Sequence, residues 1–259
     1  MSTPPAWRLP EGVNASLWSY ATSPRIAREE DAFFEGHPLF RADSAMLDAR
    51  FVEPAPLVDL GCGAGRLALH FARRGFPVTA VDLSQPLLDV LGAKAAEERV
   101  NVSRLRANLC DLRCLPDGSF TYALMMFSTL GMIRGSAQRQ RALSEAARIL
   151  RPGGTLALHA HNIYLNLHDP QGRRWLLGQL AGALLRRTEL GDRQMTYRGI
   201  PGMEVHLYHW RELKRSVASA GLRIAEVIPI DAIRAEPIAA PWFCHGVRAG
   251  GWIVFAERR

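Results

Sequence analysis

Residues 56 to 75 read PLVDLGCGAGRLALHFARRG, and the fold of the chain turns on them. Leu57 to Leu60 form a short apolar run, glycines follow at 61, 63 and 65, and Leu67, Ala68, Leu69, Phe71 and Ala72 continue at helical spacing. The pattern predicts a buried strand, a tight turn and a helix. Glycines packed this closely cost backbone entropy unless the chain must take positive φ or approach something closely. A ligand lying against the turn, with the helix N-terminus aimed at it, is the usual reason. Such a turn sits at the carboxyl end of a parallel strand, where open α/β sheets bind their ligands.

The spacing discriminates among ligands. A dinucleotide fingerprint, G-x-G-x-x-G, needs a third glycine where this chain has Arg66. Asp59, two residues before the first glycine, would repel a pyrophosphate and suits a ligand bearing an ammonium. About twenty residues on, Val78-Thr79-Ala80-Val81-Asp82 predicts a second strand ending in an acid placed to accept ribose hydroxyls. Together these residues describe an adenosine that carries an amino acid.

On these residues the chain resembles the class I S-adenosylmethionine-dependent methyltransferases. VDLGCGAG, from Val58 to Gly65, is similar to that family's first motif, and VTAVDL, from Val78 to Leu83, to its second-strand motif. The likeness continues through LRANLCDLRCLPDGSF, Leu105 to Phe120, LMMFSTLGMI, Leu124 to Ile133, and LRPGGTLAL, Leu150 to Leu158. Residues 1–50 and 161–210 lie outside it. The resemblance implies an α/β, Rossmann-like fold: seven strands, mostly parallel with an antiparallel last strand, and helices on both faces. It implies S-adenosyl-L-methionine as cofactor, held by Asp59, Gly61, Cys62, Gly63 and Gly65, by Asp82 and Leu83, by Asn108 and Leu109 around the adenine, and by Phe127 and Ser128 at the methionine part. At the end of the third strand the family commonly has an acid where this chain has Asn108. The amide oxygen of Asn108 can accept the same hydrogen bond, and Asp111 is the relevant acid if the loop is shifted. Thr121 also replaces a usual acid, at the far end of the fourth strand, where packing is at stake.

A chain of 259 residues with 48% apolar content buries one sizeable core. The expected organisation is an N-terminal arm over 1–50 and one domain over 51–259, with a substrate-capping insertion at 163–208 after the fifth strand. Four cysteines, at 62, 110, 114 and 244, form no C-x-x-C pair, which suits a reducing compartment. The start MSTPPAWRLP lacks a basic segment followed by an apolar run, and the apolar stretch near 121–133 is too short to span a bilayer. A soluble, cytoplasmic protein without membrane association is expected, as a monomer or homodimer. The formal charge of +7 is read first as a solvated arginine-rich surface; nucleic acid, an acidic small substrate and an anionic membrane surface are the alternatives, among which charge alone does not choose. No basic run is interleaved with aromatics in the manner of single-strand binders.

Residues 1–22 read as an irregular arm. Ser23-Pro24 starts one helix or two that run to residue 50, with an interruption near 36–38. In the resembling family such a segment covers the cofactor, and Trp18, Tyr20, Phe33 and Phe34 either do this or dock the arm. Ser84 caps a helix to Glu98, Val100 to Ala107 is the third strand, Phe120 to Phe127 the fourth, 136–150 a helix and 155–161 the fifth strand. Alternation puts His159 and His161 on one face, with no third ligand nearby for zinc, so no metal is expected. His161, at the carboxyl end of the fifth strand, is the candidate catalytic residue, a general base on a substrate hydroxyl or amine. The alternative is a histidine merely hydrogen-bonded at a strand end. In the insertion, a helix near 171–187 carries Trp175, Leu176, Leu180 and Leu184 along one side. Tyr164, Trp175, His206 and Tyr208, with Tyr197, are the expected substrate-binding wall. RGIPGM at 198–203 is read as a link, Val205 to His209 as a short strand, and 210–220 as a helix. Leu222 to Ile230 and Gly251 to Glu257 are the last two strands, and the loop PWFCHG between them reaches toward the carboxyl edge.

Methyl transfer from a sulfonium is an in-line displacement to which a protein contributes positioning and desolvation, so no particular catalytic residue is demanded. The chain lacks an N-P-P-Y type motif and a Pro-Cys pair at the end of the fourth strand. This favours a small-molecule acceptor, methylated on O or N. The alternatives are an RNA or protein methyltransferase, which would exploit the basic charge, and a catalytically inactive cofactor-binding protein. A nucleotide-dependent oxidoreductase is disfavoured by Arg66 and Asp59.

Overall fold

The computed structural model describes residues 4–34, 38–184, 190–232, 234 and 236–259. Three helices come first, α1 (Ala15–Ala21), α2 (Pro24–Phe34) and α3 (Pro38–Asp48). The arm is thus more regular than its composition suggests, because Asn14 caps α1 by accepting the Leu17 N–H at 2.8 Å. The break expected near 36–38 falls largely outside the described residues, as do the side chains of Phe33 and Phe34 and all of Arg186 and Arg187.

The glycine-turn unit is β1 (Leu57–Leu60) followed by α4 (Arg66–Arg73). After it come β2 (Val78–Asp82), α5 (Gln85–Glu97), β3 (Val102–Arg106), β4 (Phe120–Met125), α6 (Thr129–Met132), α7 (Ser136–Ile149) and β5 (Leu150–His161). The insertion contributes α8 (Pro170–Leu184), β6 (Asp192–Tyr197) and β7 (Ile200–His206); α9 (Trp210–Ser219), β8 (Leu222–Ile230), α10 (His245–Arg248) and β9 (Gly251–Arg258) complete the chain. The main sheet has seven strands in the order β3-β2-β1-β4-β5-β9-β8. Pairing is parallel from β3 to β5 and antiparallel at β5–β9 and β9–β8. This is the expected seven-stranded Rossmann-like sheet.

Strand alternation divides the interior into two cores. Val58, Leu60, Leu156, Leu158, Trp252 and Val254 pack on one face, and Leu57, Ala157, Ile253 and Phe255 on the other. Strands buried on both faces read as continuous apolar runs, which is why β1, β5 and β9 are legible in the sequence. Because β1 is flanked by β2 on one side and β4 on the other, the winding reverses there, and the crevice beyond their carboxyl ends is the ligand position of such sheets.

The insertion departs from expectation. A two-stranded hairpin, β6 and β7, replaces the link and the short strand at 205–209. Arg198 and Gly199 turn it, with φ of 52° and 75°, the positive values that match a tight turn to the twist of its strands. Tyr208, past the end of β7, forms only an isolated bridge to Asn162. On α8, Leu176 is buried while Leu177 and Leu180 are exposed, so its packed side is narrower than the apolar spacing predicts. No described helix is long and apolar enough to cross a membrane.

Candidate active site

A cavity of about 380 Å³ opens over the carboxyl ends of β1, β2 and β4. Its floor is the glycine turn. Gly61, Gly63 and Gly65 all have positive φ, for two different reasons. A Cβ on Gly61 would come within 2.3 Å of Thr129 Cγ2, and one on Gly65 within 2.2 Å of Leu91 Cδ1, whereas one on Gly63 would meet nothing within 4 Å. Gly61 and Gly65 are therefore demanded by packing, and Gly63 presents bare backbone to open space. Gly61, Cys62 and Gly63 line the cavity; Gly65 does not.

Asp82, at the end of β2, ties this floor together. Its Oδ2 accepts the Gly63 N–H and its Oδ1 the Ser84 N–H, both at 2.8 Å. Burial raises its pKa, and backbone hydrogen bonds from Ser84, Gly63 and Leu83 only partly offset that. Asp59 lies one layer behind, 3% exposed and away from the cavity. Its carboxyl is pushed up to about 7 by burial, opposed by the Arg66 guanidinium and reinforced by the Asp82 charge. Burial likewise pushes the Cys62 thiol up, so it is not a reactive thiolate. Arg66 pairs with Asp43 at 2.8 Å and stands 5.7 Å from the Phe127 ring centroid.

Beyond β4 the backbone is strained. Phe127 and Ser128 both take left-handed conformations, φ 52° and 59°, at a cost of about 1–3 kcal/mol each. The pair carries both residues to the cavity wall. The Ser128 hydroxyl is buried and has no hydrogen-bond partner among the described residues. Leu83 and Leu109 also line the cavity. Asn108 does as well, but its amide is already engaged: Nδ2 donates to the Glu11 carbonyl at 2.9 Å and Oδ1 accepts the Cys110 N–H at 3.1 Å. It pins the arm to the floor.

The roof is made by the arm and the hairpin. Alternation sends Arg193, Met195 and Tyr197 of β6, and Met203 and Val205 of β7, to the cavity, joined by Leu207. Tyr20 and Glu30 meet them from α1 and α2. Glu30, 5% exposed, accepts the Tyr197 hydroxyl at 2.8 Å and the Arg198 Nε–H at 3.0 Å. Asn14 donates to Glu204 at 2.8 Å and Ser16 to the Pro201 carbonyl at 2.8 Å, so arm and hairpin are clasped together.

The same alternation removes His206 from the expected substrate wall. It points away from the cavity, between Asp192 at 2.6 Å and Glu212 at 2.7 Å. Tyr208 is buried in the core against the His206 ring. Trp175 stands behind the roof, with the Arg193 guanidinium 5.6 Å from its ring centroid. Tyr164 lines a separate cavity with Leu167, His168, Asp231 and Arg248. The loop carrying PWFCHG reaches the end of β5 through Asn162, whose Nδ2 donates to the Gly246 and Ala249 carbonyls. His161 lines the main cavity, its ring 4.9 Å from that of His159. Burial, with the neighbouring His159, lowers its pKa to about 3, so its imidazole is neutral at physiological pH.

Residues 57–154, which span this floor from β1 into β5, match the family described as a methyltransferase domain. Over residues 57–154 the chain carries the sequence of a methyltransferase domain, laid on a Rossmann-like sheet. Its sequence is 31% identical over 125 residues to the ubiquinone biosynthesis O-methyltransferase of Caulobacter vibrioides, a match covering 48% of each chain. The chain thus spans about half the length of the curated relatives it matches. Its methyltransferase fold is shared with a SAM-dependent methyltransferase from Methanosarcina mazei, TM-score 0.64 at 20% identity, covering 82% of this chain and 96% of that one. It is shared too with the Burkholderia thailandensis 1,6-didemethyltoxoflavin-N1-methyltransferase, solved with 1,6-didemethyltoxoflavin and S-adenosylhomocysteine. That match has TM-score 0.61 at 17% identity and covers 93% of this chain and 84% of that one.

Proposed function

We propose that this chain transfers a methyl group from S-adenosyl-L-methionine to an oxygen or nitrogen atom of a small-molecule acceptor. The observation that carries the reading is the pairing of Asp82 with the open backbone of Gly63 beneath a roofed cavity. The residues fit the cofactor on three counts. Gly63 admits close approach, the Asp82 oxygens keep a lone pair beyond the backbone hydrogen bonds they accept, and Ser128 offers a buried hydroxyl in need of a partner.

When bound, the cofactor supplies an electrophilic methyl group on a sulfonium, which is already an excellent leaving group. In this reading Asp82 and Leu83 hold the ribose, Leu109 and Asn108 border the adenine, and Phe127 and Ser128 face the methionine part. His161 acts as a neutral hydrogen-bond acceptor that orients the acceptor's O–H or N–H, too weak a base at a pKa of about 3 to store the proton. Tyr20, Met195, Tyr197 and Met203 keep water from the reacting atoms. The division into an arm (1–50), a catalytic domain (51–259) and a substrate cap (163–208) follows the same reading. A cavity partly covered by arm and hairpin suits a small acceptor better than a polymer, which needs an open groove.

The test is to incubate the protein with S-adenosyl-L-methionine and panels of phenols, hydroxy acids and amines, reading S-adenosylhomocysteine release and the product mass. Turnover on a member of the panel supports the reading. Methyl label entering only RNA or protein substrates contradicts it.

A further inference from the structure

We propose that the acceptor is an apolar or aromatic molecule bearing one carboxylate, and that Arg193 receives that charge; this rests on the methyltransferase reading above. Among the described residues, the charges on the cavity wall are paired or held by backbone N–H groups, with one exception. Arg66 pairs with Asp43, Glu30 with Arg198 and Glu11 with Arg141, the last at 2.7 Å. Asp82 is held by backbone N–H groups, those of Gly63 and Ser84 among them. Arg193 is different. Its partners among the described residues are the Asn166 amide oxygen, which accepts from Nη1, and the face of Trp175. Neither carries a charge.

Both partners hold the guanidinium in place. Asn166 is fully buried, and its Nδ2 donates to the Ile163 carbonyl at 2.7 Å, which turns the amide oxygen toward Arg193. Trp175 supports the guanidinium plane by a cation–π contact. A guanidinium has five N–H donors in a rigid fork suited to a carboxylate, and most of these donors are left for the cavity. Arg193 is half-buried, and a bound carboxylate would give its guanidinium the counter-charge that its two neutral partners do not. One uncompensated positive charge matches one negative charge. Met195, Met203, Val205 and Leu207 surround it with apolar surface, which sets the body of the acceptor.

Equilibrium binding to the protein saturated with S-adenosylhomocysteine tests this, using aromatic and aliphatic acids paired with their primary amides, for example 4-hydroxybenzoate against 4-hydroxybenzamide. Acids should bind about tenfold or more tightly than their amides, the scale of a hydrogen bond to a charged group. Arg193→Met should abolish the preference and Asn166→Ala weaken it, with S-adenosylhomocysteine affinity unchanged in both. Equal retention of acids and amides, including no retention of either, overturns the proposal, as does a preference that survives Arg193→Met. Loss of S-adenosylhomocysteine affinity in Arg193→Met also overturns it, because Arg193 then serves the cofactor's own carboxylate. Failure of the wild type to bind S-adenosylhomocysteine is a separate result and sinks the methyltransferase reading instead.

Discussion

The carboxylate of Asp82 accepts the backbone N–H of Gly63 at 2.8 Å, joining the acid that ends β2 to the open glycine of the turn after β1. The contact fixes the turn and the acid relative to one another before any ligand arrives. The neighbouring glycines play a different part, and substitution separates the two roles. Gly63→Ala should fold with a loss of about 1–2 kcal/mol, the cost of a left-handed alanine, and a large loss of S-adenosylhomocysteine affinity. Gly65→Ala, whose Cβ would lie 2.2 Å from Leu91 Cδ1, should lose more stability than Gly63→Ala. Thermal melts beside calorimetric titration read both; equal destabilisation of the two variants would contradict the assignment.

The floor of the site was legible because its requirements are local. A positive φ demands glycine, and an acid at a strand end is visible in a run such as Val78 to Asp82. The roof was not. Arg193-x-Met195-x-Tyr197 and Met203-x-Val205-x-Leu207 alternate about Arg198-Gly199, which is a hairpin signal, yet Pro201 and Gly202 in the second strand make it read as a link. Once the register is misread, His206 and Tyr208 are assigned to the wrong face, since one residue of slip exchanges the two faces. The partners of the roof were beyond reach altogether: Glu30 and Arg198 lie 168 residues apart in the chain.

That long-range contact is itself testable. Glu30→Gln removes the charge that Arg198 meets and weakens what the Tyr197 hydroxyl donates to. Breaking a buried, charge-assisted hydrogen bond costs about 1.5–3 kcal/mol, so the clasp between arm and hairpin should loosen. S-adenosylhomocysteine should dissociate faster, and limited proteolysis should cut the arm sooner than in the wild type. Unchanged dissociation and cleavage would show that Glu30 does not hold the roof.

His206 gives the hairpin a pH-dependent attachment. Burial opposes its charge, but hydrogen bonds from its ring to Asp192 and Glu212 outweigh this and raise its pKa above the ordinary 6.5. A group whose native pKa is raised contributes stability in full below its unfolded value, and that contribution is lost as pH rises through the native value. The His206→Gln variant should therefore fall short of the wild type most at about pH 6 and least at about pH 9, in urea unfolding. A gap that is constant or widens with pH would contradict the ion-pair geometry.

His161 should behave in the opposite way. With its pKa lowered to about 3, its ring should remain neutral throughout the physiological range, and NMR titration of the imidazole should show no inflection between about pH 5 and 8. An inflection near the ordinary histidine value would return it to the role of a general base.

Calorimetric titration with S-adenosylhomocysteine tests the central claim most directly, on the wild type and on Asp82→Ala with its fold confirmed by circular dichroism. The account predicts one site of micromolar affinity in the wild type, weakened at least tenfold in Asp82→Ala, with no uptake of NADH. Absence of S-adenosylhomocysteine binding, or binding of NADH in its place, would contradict the assignment of the cavity.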